Sequence, residues 1–317
     1  MTYLFLLPLF IAVMLAYFKL ANHYNIIDKP NERSSHIEPT IRGGGIIYLF
    51  AALVAGFMHP EYWLPILAMG IIGTISFIDD RVTLSNRIRI LFHLLAVTLV
   101  FFFLNMFAIF PVLFVVLAYI VVIGIINAYN FMDGINGITG AYSLVVLSGL
   151  QYVNKYQVSF IEEDLIWLPI LASLVFLIFN FRKRARCFAG DVGSITIALW
   201  IVFLLLTLIL ESHNLGYILF LAVYGVDTVL TIIHRLILKQ NIFDAHRLHF
   251  YQILANEKGI SHLLVAVIYS ATQFLIIALL ISLKFNIVML FSLVILTLAS
   301  IYIVYKTRFM RTSGNRA

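Results

Sequence analysis

The chain has 317 residues, of which 62% are hydrophobic and only 11% charged. A soluble domain carries about a quarter charged residues and needs a polar shell around its core. The composition therefore excludes a soluble globular protein and a disordered chain. The single cysteine, Cys187, excludes a disulfide scaffold and a thiolate zinc cluster.

Apolar runs here are continuous rather than alternating, which argues against a transmembrane β-barrel. Helices satisfy their own backbone in lipid, so the expected fold is all-α and polytopic. A spanning helix needs roughly 17–25 apolar residues. In chain order the spans fall near 2–21, 43–59, 62–79, 88–107, 111–127, 137–153, 165–181, 193–211, 215–235, 262–282 and 286–305. That makes eleven in a single polytopic domain, 1–317, with no internal repeat. The start, MTYLFLLPLF, has its first Lys at 19, so the first span reads as a retained helix rather than a cleaved signal.

The net charge is +6, without the long Lys/Arg run expected of a nucleic-acid binder. With the N-terminus outside, 19 of the 21 basic residues fall on the inner side, and only Lys155 and Lys284 fall outside. This asymmetry supports the orientation and puts the C-terminus inside. Acidic residues do not obey the orientation rule, yet nine of 15 also fall inside: Asp28, Glu32, Glu38, Asp79, Asp80, Asp133, Asp191, Asp244 and Glu257. Carboxylates at the inner ends of several spans suggest a site.

Four inner clusters and one loop carry candidate chemistry. Arg42-Gly43-Gly44-Gly45 opens span 2 and fits either close helix packing or a backbone nest for phosphate. Asp79-Asp80-Arg81 ends span 3, where the helix dipole and mutual repulsion disfavour two carboxylates; a metal or Arg87 and Arg89 can offset that. If span 5 continues as a helix, Asn127 and Asn130 share a face with Asp133 nearby. Gly190-Asp191-Val192-Gly193-Ser194 opens span 8, where Asp191 is either an N-cap or a ligand for a hard cation. The last inner loop carries Asp244, His246, Arg247 and His249, which suit phosphate contact better than zinc. Carboxylates, arginines and histidines at one face suit a Mg²⁺-bound pyrophosphate.

Taken in order from about Asp28 to Gln252, these motifs resemble a known family. They are the glycines 43–45, the Asp79-Asp80 pair, NAYNFMDGINGITG at 127–140, FAGDVGS at 188–194, and an Asp227-Thr228 step leading to AHRLHFYQ. The chain is similar to the polyprenyl-phosphate N-acetylhexosamine-1-phosphate transferases of the MraY/WecA/TagO type, glycosyltransferase family 4, and most to the subgroup that initiates O-antigen and related surface polysaccharides. The resemblance implies transfer of sugar-1-phosphate from a UDP-N-acetylated sugar to undecaprenyl phosphate, with release of UMP, at the cytoplasmic face of a bacterial inner membrane. It implies Asp79 and Asp80 as catalytic residues and Asp191 as the ligand of Mg²⁺, or of Mn²⁺ in its place. Asn127, Asn130, Asp133, Arg89, Arg247, His246, His249 and Gly44 are the implied substrate-binding residues. The implied partners are the two substrates and the bilayer, with room for a homodimer.

Two positions depart from the family pattern. Asn136 stands where many relatives carry Asp, and the histidine loop reads HRLH rather than HIHH. A transporter is the second reading, motivated by Asp227 inside a span; polar groups at one face rather than mid-membrane argue against it. A CDP-alcohol phosphotransferase would need more around Asp133-Gly134 than the sequence holds.

Overall fold

Each long apolar run closes its hydrogen bonds within itself, and the computed structural model is accordingly a bundle of helices. It describes residues 2–28, 38–241, 247–282 and 287–314. The order is α1 (Thr2–His23), a two-stranded ribbon of β1 (Ile27–Asp28) and β2 (Thr40–Ile41), α2 (Ile46–Met58), α3 (Trp63–Arg81), α4 (Asn86–Phe103), the short α5 (Met106–Ile109), α6 (Val112–Met132), α7 (Ile138–Tyr156), α8 (Asp164–Asn180), α9 (Gly190–Ser212), α10 (Ala222–Ile237), the single turn α11 (Phe250–Gln252), α12 (His262–Ser282) and α13 (Ile287–Gly314). Every expected span coincides with a helical segment. Among the described residues, eight segments are long and apolar enough to cross a membrane by themselves. Ile46–Met58 and Asp164–Asn180 are shorter apolar helices. α7 buries the polar Gln151 and Asn154: Gln151 Nε2 donates to Glu163 Oε2 at 2.9 Å, and Asn154 Oδ1 accepts from the Phe160 and Ile161 amides at 2.9 and 3.1 Å.

The structure redraws three boundaries. The fourth span, expected to reach 107, stops as α4 at Phe103, because Asn105 takes a left-handed φ of 55° before Pro111. α6 runs on to Met132, so Asn127 and Asn130 are helical. The span at 215–235 is broken: a 3₁₀ turn covers Leu215–Leu221 and α10 follows. A broken helix at membrane depth needs its freed backbone groups paired. Gln273 of α12 does this, accepting from the Val223 amide at 3.2 Å and donating to the Leu219 carbonyl at 2.9 Å.

α9 occupies the centre, apolar on all sides and packed against α2, α3, α6 and α7. Its start lies so close to that of α2 that a Cβ on Gly45 or Gly193 would collide with the other's backbone. Small residues permit this approach. The segment after β2 then runs beside residues 187–189: Phe188 donates to the Ile41 carbonyl at 2.8 Å, Gly44 to that of Phe188 at 2.8 Å, and Gly45 to that of Ala189 at 3.0 Å. These bonds fix Arg42 over the start of α9.

Candidate functional site

Asp80, in the last turn of α3, reaches across to the first turn of α9. Its Oδ1 accepts from the Asp191 amide at 3.1 Å and its Oδ2 from the Val192 amide at 3.2 Å. Arg42 Nε pairs with Oδ1 at 2.7 Å. A carboxylate placed badly on its own helix is thus placed well on the next, where exposed amides and the dipole favour negative charge. Gly190 makes the approach possible: its φ is +70°, and a side chain there would meet Asp80 Oδ2.

Asp191 is held from two sides. Asn130 Nδ2 donates to its Oδ1 at 3.0 Å, and Arg42 Nη2 lies 3.7 Å from the same oxygen. Asn130 also donates to Ser194 Oγ at 3.2 Å. The Asp191 side chain is 20% exposed and that of Asp80 1%, so Asp191 is the carboxylate a ligand can reach. Burial tends to lower the Arg42 pKa, but Asp80, Asp191 and Asp28 raise it beyond its usual value.

Asp133 follows the end of α6 and accepts from Thr139 Oγ1 at 2.6 Å. The residue keeps part of its surface exposed, yet its carboxyl is enclosed. That burial pushes its pKa up to about 8; Asp191 and Asp80 add to the rise, while the Thr139 bond and Arg42 oppose it. Asp79 faces the other way: its Oδ1 accepts from the Leu84 amide at 2.6 Å and its Oδ2 lies 3.4 Å from Arg89 Nε.

Asp80, Asp191, Asn130 and Asp133 therefore gather at one end of the bundle, with Asp79 and Arg89 beside them. Two expected residues do other work. Asn127 turns its amide back to the Ile123 carbonyl at 2.8 Å, within its own helix. The Gly44 amide is spent on Phe188, and a Cβ there would meet Cys187, so this glycine serves packing and not a phosphate nest. His249 caps α11, with Nδ1 at 3.3 Å from Asp227, and Arg247 lies two residues before it. His246 and Asp244 lie outside the described residues. Arg42, named in the sequence only as part of the cluster at 42–45 and given no site role, bridges Asp80 and Asp191. Its signal was present, as the one charge adjoining the glycines at 43–45.

Among the described residues, no group of three or more acidic, histidine or cysteine side chains forms a ready-made cation cage. That donor set still fits Mg²⁺, which takes one or two carboxylates and completes its shell with water and substrate phosphate. Asp191 offers the reachable oxygens, with the enclosed Asp133 near enough to feel its charge.

The fold and this cluster define a polytopic helical membrane protein with a carboxylate–arginine site at one end of the bundle. Comparison with known proteins narrows that class. The sequence model of "Glycosyl transferase family 4" matches residues 62–209. A probable undecaprenyl-phosphate N-acetylglucosaminyl 1-phosphate transferase of Bacillus subtilis is 29% identical over 274 residues, covering 79% of this chain and 75% of the relative. The undecaprenyl-phosphate α-N-acetylglucosaminyl 1-phosphate transferase of Escherichia coli O157:H7 is 25% identical over 268 residues, 74% of this chain and 71% of its own. A phospho-N-acetylmuramoyl-pentapeptide-transferase of Thermotoga neapolitana is 27% identical over 232 residues, 68% and 76%. The chain is thus similar to transferases of the MraY/WecA/TagO type, in keeping with its motifs.

Proposed function

We propose that this protein transfers an N-acetylated sugar-1-phosphate from a UDP-sugar to undecaprenyl phosphate, giving undecaprenyl-diphospho-sugar and UMP. The observation that carries this reading is the Arg42–Asp80–Asp191 bridge, which joins the helix starting at FAGDVGS to the one ending in the Asp-Asp pair. The matched relatives, transferases that act on undecaprenyl phosphate by name in two cases, support it. The setting is a bacterial cytoplasmic membrane with the site on the cytoplasmic side, in keeping with the basic residues counted there.

An oxygen of the lipid phosphate attacks the phosphorus bonded to the sugar. The bond from that phosphorus to the UMP oxygen breaks, and UMP leaves. Such transfer depends on positioning and on neutralising phosphate charge. Arg42 sits where a phosphate near Asp191 would be, already oriented by Asp80. Asp79 pairs with Arg89, which would face the lipid phosphate, and in this reading the Asp79 carboxylate takes that phosphate's proton. Asn130 keeps Asp191 in one rotamer. Asp191, with Asp133 behind it, would hold Mg²⁺, which supplies charge neutralisation for the leaving UMP when bound. Arg247 and the buried His249, both on the last loop, are the further groups that would meet the phosphates in this reading. UDP-GlcNAc and its 6-deoxy relatives UDP-QuiNAc and UDP-FucNAc are the donors to try, and initiation of a surface polysaccharide is the role they fit.

The transporter reading rested on Asp227. In the structure that carboxylate has five local donors, Thr231, His249, Phe250, Tyr251 and Tyr269, which give it a task within the fold. The test is UMP release by purified protein given undecaprenyl phosphate and a panel of UDP-sugars, with Mg²⁺ and after chelation. Asp79→Asn and Asp191→Asn should each abolish UMP release in protein that still inserts and folds. Full turnover by folded Asp191→Asn would remove the metal assignment.

A further inference from the structure

An ionisable side chain inside a membrane helix is costly and needs strong partners. Asp227 lies in α10, 3% exposed. Three of its five donors come from consecutive residues of one loop: His249 Nδ1 at 3.3 Å, the Phe250 amide at 2.9 Å and the Tyr251 amide at 3.3 Å. Tyr269 Oη adds a bond of 2.7 Å from α12, and Thr231 one of 3.2 Å from the next turn. Two backbone amides would suffice to cap α11. The bond to an imidazole nitrogen does something further, because it bears on where the ring carries its proton.

Two groups compete at that nitrogen. The capping box of α11 aims the Gln252 backbone N–H at the His249 side chain, which asks for a lone pair there. The Asp227 carboxylate asks for a proton instead. A full negative charge outweighs one amide dipole, so the proton stays on Nδ1. The ring is also tied to the site. Tyr251 Oη donates to the Phe131 carbonyl at 2.8 Å, and the Phe131 and His249 rings lie 6.1 Å apart. Phe131 lies between Asn130 and Asp133 in the chain. Behind the pair, Thr231 meets Tyr302 of α13 at 2.7 Å, and Lys306 donates to the Leu248 carbonyl at 2.6 Å, which anchors the residue before His249.

We propose that Asp227 is a positioning residue of the transferase: it keeps the His249 proton on Nδ1 and so commits Nε2 to the substrate phosphates. The inference rests on the reading above and names the source of one group's orientation. A proton taken up at Nε2 then leaves a cation clamped between the Asp227 carboxylate and the phosphate oxygens. Outer partners that orient a working histidine typically matter about tenfold to a hundredfold.

The test uses the full-length protein, with ¹⁵N-histidine spectra and UMP release measured side by side. Wild type should carry its His249 proton on Nδ1. In Asp227→Asn the Gln252 N–H should win, and the proton should move to Nε2. The same variant should lose about tenfold to a hundredfold in kcat with little change in KM. On a His249→Ala background, Asp227→Asn should cost almost nothing more. A wild-type proton on Nε2, an unchanged tautomer in Asp227→Asn, or an equal loss on both backgrounds would overturn the proposal. Absence of UMP release from wild type would count against the transferase reading, while the spectra would still decide the role of Asp227.

Discussion

The two ends of the helix bundle hold polar clusters of similar size and opposite character. At one end Asp164 opens α8, where the helix dipole favours a carboxylate. It accepts from Tyr3 and lies 2.8 Å from His59 Nε2, whose Nδ1 faces Glu61 at 3.2 Å. Each charge there has an opposite or neutral partner where the backbone prefers it. At the other end Asp79 and Asp80 sit on the last turn of α3, against the dipole, and Asp133 follows the end of α6. Asp80 is relieved only by crossing to α9 and by Arg42. A bundle selected for stability alone would not place three carboxylates so. The first cluster ties helices together, and the second keeps charge ready for a ligand.

Substitutions can break this contrast. The largest effects belong to the strained end: Asp191→Asn and Asp79→Asn should each remove UMP release outright in an assay of purified protein. Next comes the helix crossing that carries that end. Gly45→Ala or Gly193→Ala forces α2 from α9, which should cost about 1–3 kcal/mol by thermal unfolding and lower activity by shifting Asp191. Smaller still is the relaxed end. His59→Gln should leave UMP release within about twofold, since it lies at the opposite end of the bundle, and lower the melting temperature by a few degrees at most. Its pH dependence sharpens the contrast. Burial tends to lower the His59 pKa, but the Asp164 and Glu61 contacts raise it above 6.5. A raised folded-state pKa gives stability that is complete below 6.5 and is lost as pH climbs through the folded value. Wild-type melting should therefore decline over that window, and His59→Gln should flatten the decline. An equal decline in the variant would separate the shift from this pair.

Much of this was legible in the sequence, for a physical reason. Lipid forces continuous apolar helices, so the helical segments could be read from composition, and charge could collect only at their ends. Asp80, Asp133 and Asp191 stood out because few charges existed to choose among, and the structure brings them together. What they do with their oxygens was not legible. Asp80 spends both on α9 and Arg42, a contact between residues 111 apart in the chain. Gly44 looked like a phosphate nest because a glycine run has the same spelling whether its amides face a ligand or, as here, the carbonyls of 188 and 189. Asn127 shares its sequence pattern with Asn130, but only Asn130 has Asp191 within reach. Asp227 looked like a carrier's proton site because the loop that satisfies it is 22 residues away in the chain.

The products identify the reaction most directly. Purified protein given undecaprenyl phosphate and its UDP-sugar should yield UMP and undecaprenyl-diphospho-sugar in equal amounts, read by chromatography of the nucleotide and mass spectrometry of the lipid. Release of UDP in place of UMP, or movement of substrate across vesicles with no nucleotide cleaved, would contradict it.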